Sequence, residues 1–153
     1  MKIKTFVVFL AMLGFLFINF ITIAQSDERL LPNPKLKMEW EIQSAERFIA
    51  TSYAKLETLE VEASKYAKYP NSLEKEAYNN WVKSTALWYS FRDAQRSAFS
   101  ALRVYEGFLL SLKSSQNTSG ILMLKNQEEV VINRIYLVQD IRTELKLLMD
   151  KYF

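Results

Sequence analysis

Residues 77–112 read AYNNWVKSTALWYSFRDAQRSAFSALRVYEGFLLSL, and this stretch decides the fold. Ala77, Trp81, Ser84, Trp88, Phe91, Gln95, Ala98, Leu102, Tyr105, Leu109 and Leu112 recur at steps of three and four. That spacing places them on one face of a single long helix. Asn71 as N-cap, with Glu74 three residues on, makes a capping box that predicts the helix start. Gly107 falls inside the pattern and marks an expected bend or break, since Gly is a poor helix residue. Trp81 and Trp88, one heptad apart, are expected in the bundle seam, where large rings bury most area.

The same period continues on both sides. Upstream, Ile42, Ala45, Ile49, Ser52, Leu56, Leu59, Ala63 and Tyr66 predict a helix over 38–69, ended by Pro70. Downstream, Leu124, Val131, Ile135, Val138, Ile141, Leu145 and Leu148 predict a helix over 121–152. Its first turns are expected to be irregular because 121–124 is a continuous apolar run. Between the last two helices, 114–120 reads as a polar, turn-forming loop. The fold expected is all-α, an antiparallel bundle of three long helices joined by short connections. Three Gly and three Pro in 153 residues leave too few turn residues for a β sandwich or barrel.

The N-terminus has a different character. Lys2 and Lys4 form a basic head, 5–23 is almost wholly apolar, and Thr22-Ile23-Ala24 offers small residues at −3 and −1. This is the layout of a signal peptide over 1–24, cleaved after Ala24. It suggests a periplasmic or secreted protein of a bacterial envelope, touching membrane only through this segment. The alternative is an uncleaved leader anchoring the chain in the inner membrane. Residues 25–37, with Pro32 and Pro34, read as an extended linker, and 38–153 as the helical domain.

Charge and composition exclude several functions. Without Lys2 and Lys4, 18 basic residues face 17 acidic ones, and no Lys/Arg run forms a stripe, so nucleic-acid binding is not expected. The chain has no Cys and no His. Disulfides, thiolate metal sites and histidine-based triads are therefore excluded, and no metal or cofactor is expected. Two Ser-x-x-Lys tetrads, Ser52/Lys55 and Ser72/Lys75, occur at the frequency chance allows and lack the companion motifs of serine enzymes. The acidic residues Glu57, Glu60, Glu62, Glu74 and Glu76 read as solvated helix faces with Lys partners. No catalytic residue is assigned.

The candidate contact residues lie elsewhere. Tyr78 and Tyr89 fall off the main stripe and are expected to be exposed. Together with Tyr66, Tyr69 and Trp81 they outline a strip suited to sugar or peptide. Lys113, Ser115, Asn117 and Thr118 belong to the polar loop, the part best placed to plug a partner's cleft. Asp93 is expected to reach Arg96, leaving Arg92 to cap or to pair across the bundle.

The segment Trp88-Tyr89-Ser90-Phe91-Arg92-Asp93 resembles the Trp-x-x-Tyr-Arg-Asp signature of the LprI-type lysozyme-inhibitor N-terminal domain family. Ala98 and Phe99 follow at similar spacing, and Glu144-Leu145 resembles the Glu-Leu pattern of that family's last helix. The chain departs from the family in having Phe91 for Tyr, Arg96 where a cysteine would fall, and no cysteine anywhere. The resemblance implies a non-catalytic binding protein acting by protein–protein contact, with a lysozyme or another envelope protein as partner. It also implies structural roles for Trp88, Phe91, Arg92, Asp93, Glu144 and Leu145. The alternative reading is a structural or assembly subunit that self-associates through its helix faces.

Overall fold

The computed structural model describes residues 33–70, 74–115 and 118–153. The expected leader, most of the expected linker, Asn71, Ser72 and Asn117 lie outside the described residues. Three helices carry the fold: α1 Pro34–Tyr66, α2 Lys75–Ser115 and α3 Ser119–Met149. A 3-10 turn, Asp150–Tyr152, follows α3. There is no strand among the described residues, and none of their helices is long and apolar enough to cross a membrane.

α1 starts four residues before the expected Met38. Asn33 is its N-cap: the side-chain Oδ1 accepts the Lys35 N–H at 2.9 Å, and its carbonyl accepts the Lys37 N–H at 3.0 Å. Pro34 then occupies the first helical position, where its missing N–H costs nothing. A proline that reads as a linker residue is thus a helix starter. The far end behaves as expected, with the helix finished at Tyr66, ahead of Pro70. α2 starts later than expected, at Lys75, where the Glu74 carbonyl accepts the Tyr78 N–H at 3.2 Å. It then runs unbroken through Gly107.

Residues 42–153 make the bundle. Leu56, Leu59 and Ala63 of α1 meet Phe91, Ala94 and Ala98 of α2 and Val138 and Leu145 of α3 in one buried cluster. Tyr66, Leu87, Trp88, Phe99, Ile135 and Ile141 pack around it. Four of the buried positions of α3, Leu124, Val131, Val138 and Leu145, repeat every seventh residue, as in a coiled-coil-like seam, and Met149 follows four residues on. α3 is regular from Ser119 onward, so the apolar run at 121–124 does not disturb it.

α2 and α3 come closest where small residues permit it. Gln127 Nε2 donates to the Ala101 carbonyl at 3.0 Å, directly onto the α2 backbone. At the hairpin end, a Cβ on Gly120 would lie 3.0 Å from Leu112 Cδ1, so Gly lets α3 start against α2. α1 is joined to α2 by rings: Phe48 meets Tyr105 edge-on at 5.1 Å, and Tyr53 stacks on Phe99 at 5.7 Å.

Candidate functional site

The Trp-x-x-aromatic-Arg-Asp segment folds into a compact assembly between α1 and α2. Phe91 is fully buried, and Trp88 lies flat against it with ring centroids 5.5 Å apart. Arg92 turns back over Trp88, its guanidinium carbon 5.8 Å from the ring centroid. The same guanidinium pairs with Glu60 of α1 and donates to Gln95 Oε1 at 3.1 Å. Gln95 is buried, and its Nε2 donates to the other Glu60 oxygen at 2.7 Å. Both faces of the Gln95 amide are therefore satisfied, as a buried amide requires. Asp93 points outward and takes an exposed bond from Arg96 at 3.2 Å. The Arg-Asp pair thus divides its labour: Arg92 joins two helices and Asp93 faces solvent.

Trp81 and Trp88 are half-buried rather than in the seam. Their neighbours in the stripe, Ser84, Phe91 and Gln95, take the buried positions, and Trp88 packs against the core cluster from its edge. Of the final Glu-Leu pair, Leu145 is in the core and Glu144 is exposed.

The acidic residues are mostly committed. Glu60 holds Arg92, Glu62 holds Arg142 at 2.7 Å, and Glu76 holds Lys151 at 2.5 Å. Ser52 is buried on the inner face of α1, so its hydroxyl is not presented to a substrate. Among the described residues, no group of three Asp or Glu side chains is placed to hold a metal ion.

The polar connection is shorter than the sequence suggests. α2 runs to Ser115 and α3 begins at Ser119, so the expected seven-residue loop shrinks to 116–118. Lys113 sits in the last turn of α2 and pairs with Glu46 at 2.5 Å. The Ser115 hydroxyl donates to the Ser111 carbonyl at 2.9 Å, and the Thr118 carbonyl accepts the Ile121 N–H at 3.1 Å. Both helices satisfy these polar groups locally, and that is why they extend into a stretch rich in turn formers.

The aromatic strip is present in part. Tyr69 meets Trp81 edge-on at 5.0 Å, and Tyr78 lies 6.0 Å from the same ring. Tyr69 and Tyr78 are both exposed, and Tyr89, 67% exposed, stands further along α2. Tyr66 belongs instead to a C-terminal clasp. Its hydroxyl donates to Asp150 Oδ1 at 3.1 Å, its ring meets Phe153, and Asn80 Nδ2 donates to the Tyr152 hydroxyl at 3.2 Å. Burial first, and then the Asp150 carboxylate, push the Tyr66 phenol up. Tyr53 is raised in the same way, by burial and then by Glu106. The Lys151 ammonium holds Glu76 below the usual carboxylate range, and Glu76 holds Lys151 above the usual amine range.

Fold and surface together define a cysteine-free three-helix bundle whose ion pairs are mostly structural and whose exposed rings include Tyr69 and Tyr78 near one end and Tyr89 and Tyr136 further along the helices. Comparison with protein-family models, curated proteins and solved structures finds no match.

Proposed function

We propose that this chain is a non-catalytic helical binding protein of the bacterial envelope that works by protein–protein contact, as the resemblance to LprI-type inhibitors implies. The observation that carries the reading is the contrast between its ionic and aromatic side chains. Arg92, Glu60, Glu62 and Arg142 are spent joining helices, while Tyr78 and Tyr89 are held out to solvent on α2 and Tyr69 stands exposed just past α1. Rings on a rigid support anchor a partner at low entropic cost. The Tyr69–Trp81–Tyr78 rim, where three rings meet, is the first contact point to test.

A lysozyme is the partner to test first. In a turbidity assay on bacterial cell walls, a molar excess of the chain should slow clearing. Tyr78→Ala and Tyr89→Ala should restore it. Clearing at an undiminished rate under hundredfold excess would remove lysozyme as the partner.

A further inference from the structure

Among the described residues, nothing covers the face of the α2/α3 hairpin turned away from α1, and it carries a row of exposed apolar side chains. On α3, Met123, Val130 and Leu137 recur every seventh residue and are 59%, 41% and 44% exposed. On α2, the exposed Ala86 and Ser90 and the half-buried Ser97 form a shallow row that runs down to the buried Ala101, with Val104 exposed at its end. Helical geometry puts both rows opposite α1. Ser97 and Val104 follow Arg92, which pairs with α1, by five and twelve residues, turning them about 140° and 120° around the helix. Leu137 and Val130 precede Arg142, which also pairs with α1, by the same two intervals.

We propose that this face is covered by a second copy of the chain, related by a twofold axis running along the helices. α3 of each copy then lies antiparallel on α2 of its partner, with equal heights meeting. Those heights are fixed by the contacts of Gln127 with Ala101, Tyr105 with Glu128, and Gly120 with Leu112. Counting from them, Val130 and Leu137 of one copy fall level with Ser90, Ser97 and Ala101 of the other. Large side chains thus meet a row of small ones, the condition for close helix packing. The charges match as well. Glu144 falls within one turn of the partner's Lys83, and Arg134 within one turn of the partner's Asp93. Lys83, Asp93, Arg134 and Glu144 are all exposed, and Asp93 takes a surface bond from Arg96. Knobs, holes and both charge pairs lie on one surface, so the surface complements itself, which a twofold contact demands. From Met123 to Glu144 the patch is about 30 Å long at 1.5 Å per residue and about 20 Å wide for two helices. Its plane of roughly 600 Å², enlarged by the relief of the side chains, approaches the ~800 Å² per partner of a standard interface.

The inference builds on the protein-contact reading but uses a different surface, so the two fail separately. Sedimentation equilibrium on the full chain should give a dimer mass at micromolar concentration. Lys83→Glu should weaken the dissociation constant about tenfold or more, and adding Glu144→Lys to it should restore the dimer. Leu137→Glu should leave monomer, with the helical circular dichroism unchanged. Val61→Glu, on exposed α1 surface, should not disturb the dimer, and Tyr78→Ala should alter only binding at the aromatic rim. A monomer mass at ~100 μM, or association indifferent to the charge swap, would overturn the proposal.

Discussion

Gly107 shows how one residue can be read correctly for its type and wrongly for its effect. Glycine lowers helix stability by roughly 1 kcal/mol relative to alanine, yet α2 passes through position 107 without a break. Packing of the helix on both sides outweighs that local loss. A Cβ at 107 meets nothing within 4 Å, so Gly107→Ala should stabilise the protein by about 0.5–1 kcal/mol and raise the melting temperature by a few degrees. Thermal unfolding followed by circular dichroism checks it. Gly120→Ala should show no such gain, since its Cβ would press on the buried Leu112. Arg92 offers the second test at this scale. Arg92→Ala removes a partner of Glu60, a donor to Gln95 and the cation over Trp88, and should cost about 1–2 kcal/mol. The Arg92–Glu60 coupling in a double-mutant cycle should be smaller, about 0.5–1 kcal/mol, because both side chains are more than one-third exposed and water screens them. Arg92→Lys should recover only part of the loss, having no planar fork to reach Glu60 and Gln95 together. A chemical denaturation series on Arg92→Ala, Arg92→Lys, Glu60→Ala and the Arg92→Ala/Glu60→Ala double variant settles the order.

At the scale of the element, periodicity was the legible quantity. The α2 stripe was readable in full except that its two tryptophans sit on the flank. The α1 stripe buries Ala45, Ser52, Leu56, Leu59 and Ala63 as its spacing requires. The ends were less legible because they depend on single hydrogen bonds. Asn33 decides that Pro34 begins a helix, and local serine bonds carry α2 to Ser115. Pairings between helices were not legible, since spacing along one helix says nothing of the register of its neighbour. The sequence leaves Arg92 able to pair across the bundle, but Glu60 as its partner appears only once α1 and α2 are packed. Lys113 and Glu46 show the same limit. The C-terminal turn is another case, joining α3 to α2 through Lys151 and Glu76. The Glu76 pKa is lowered in the folded state, so its stabilising effect is present above the ordinary carboxylate range and lost as pH falls through the folded value. The Lys151 pKa is raised, so its effect is present below the ordinary lysine range and lost as pH rises past the folded value. Melting temperatures of the wild type and Glu76→Gln should therefore differ at neutral pH and converge only once the pH has fallen below the ordinary carboxylate range. The difference should also shrink in molar salt, because the pair is solvated.

For the whole molecule, the absence of cysteine leaves packing and the polar contacts between helices to hold the fold, with no covalent cross-link. The core is a narrow line of side chains between three long rods, with no second layer behind it. Leu56, fully buried in the cluster that joins all three helices, has neighbours on α2 and α3 that cannot move inward without breaking the seven-residue repeat. Leu56→Ala should therefore leave much of its cavity open and cost about 2–5 kcal/mol. A domain this size holds only about 5–15 kcal/mol in total. The melting temperature should drop by roughly 10 °C or more, with fluorescence of the half-buried tryptophans and helical circular dichroism falling together. Neither signal should respond to reductant. Loss of tryptophan signal well before loss of helix would show instead that the rods persist without their shared seam, and the bundle would then not be the cooperative unit.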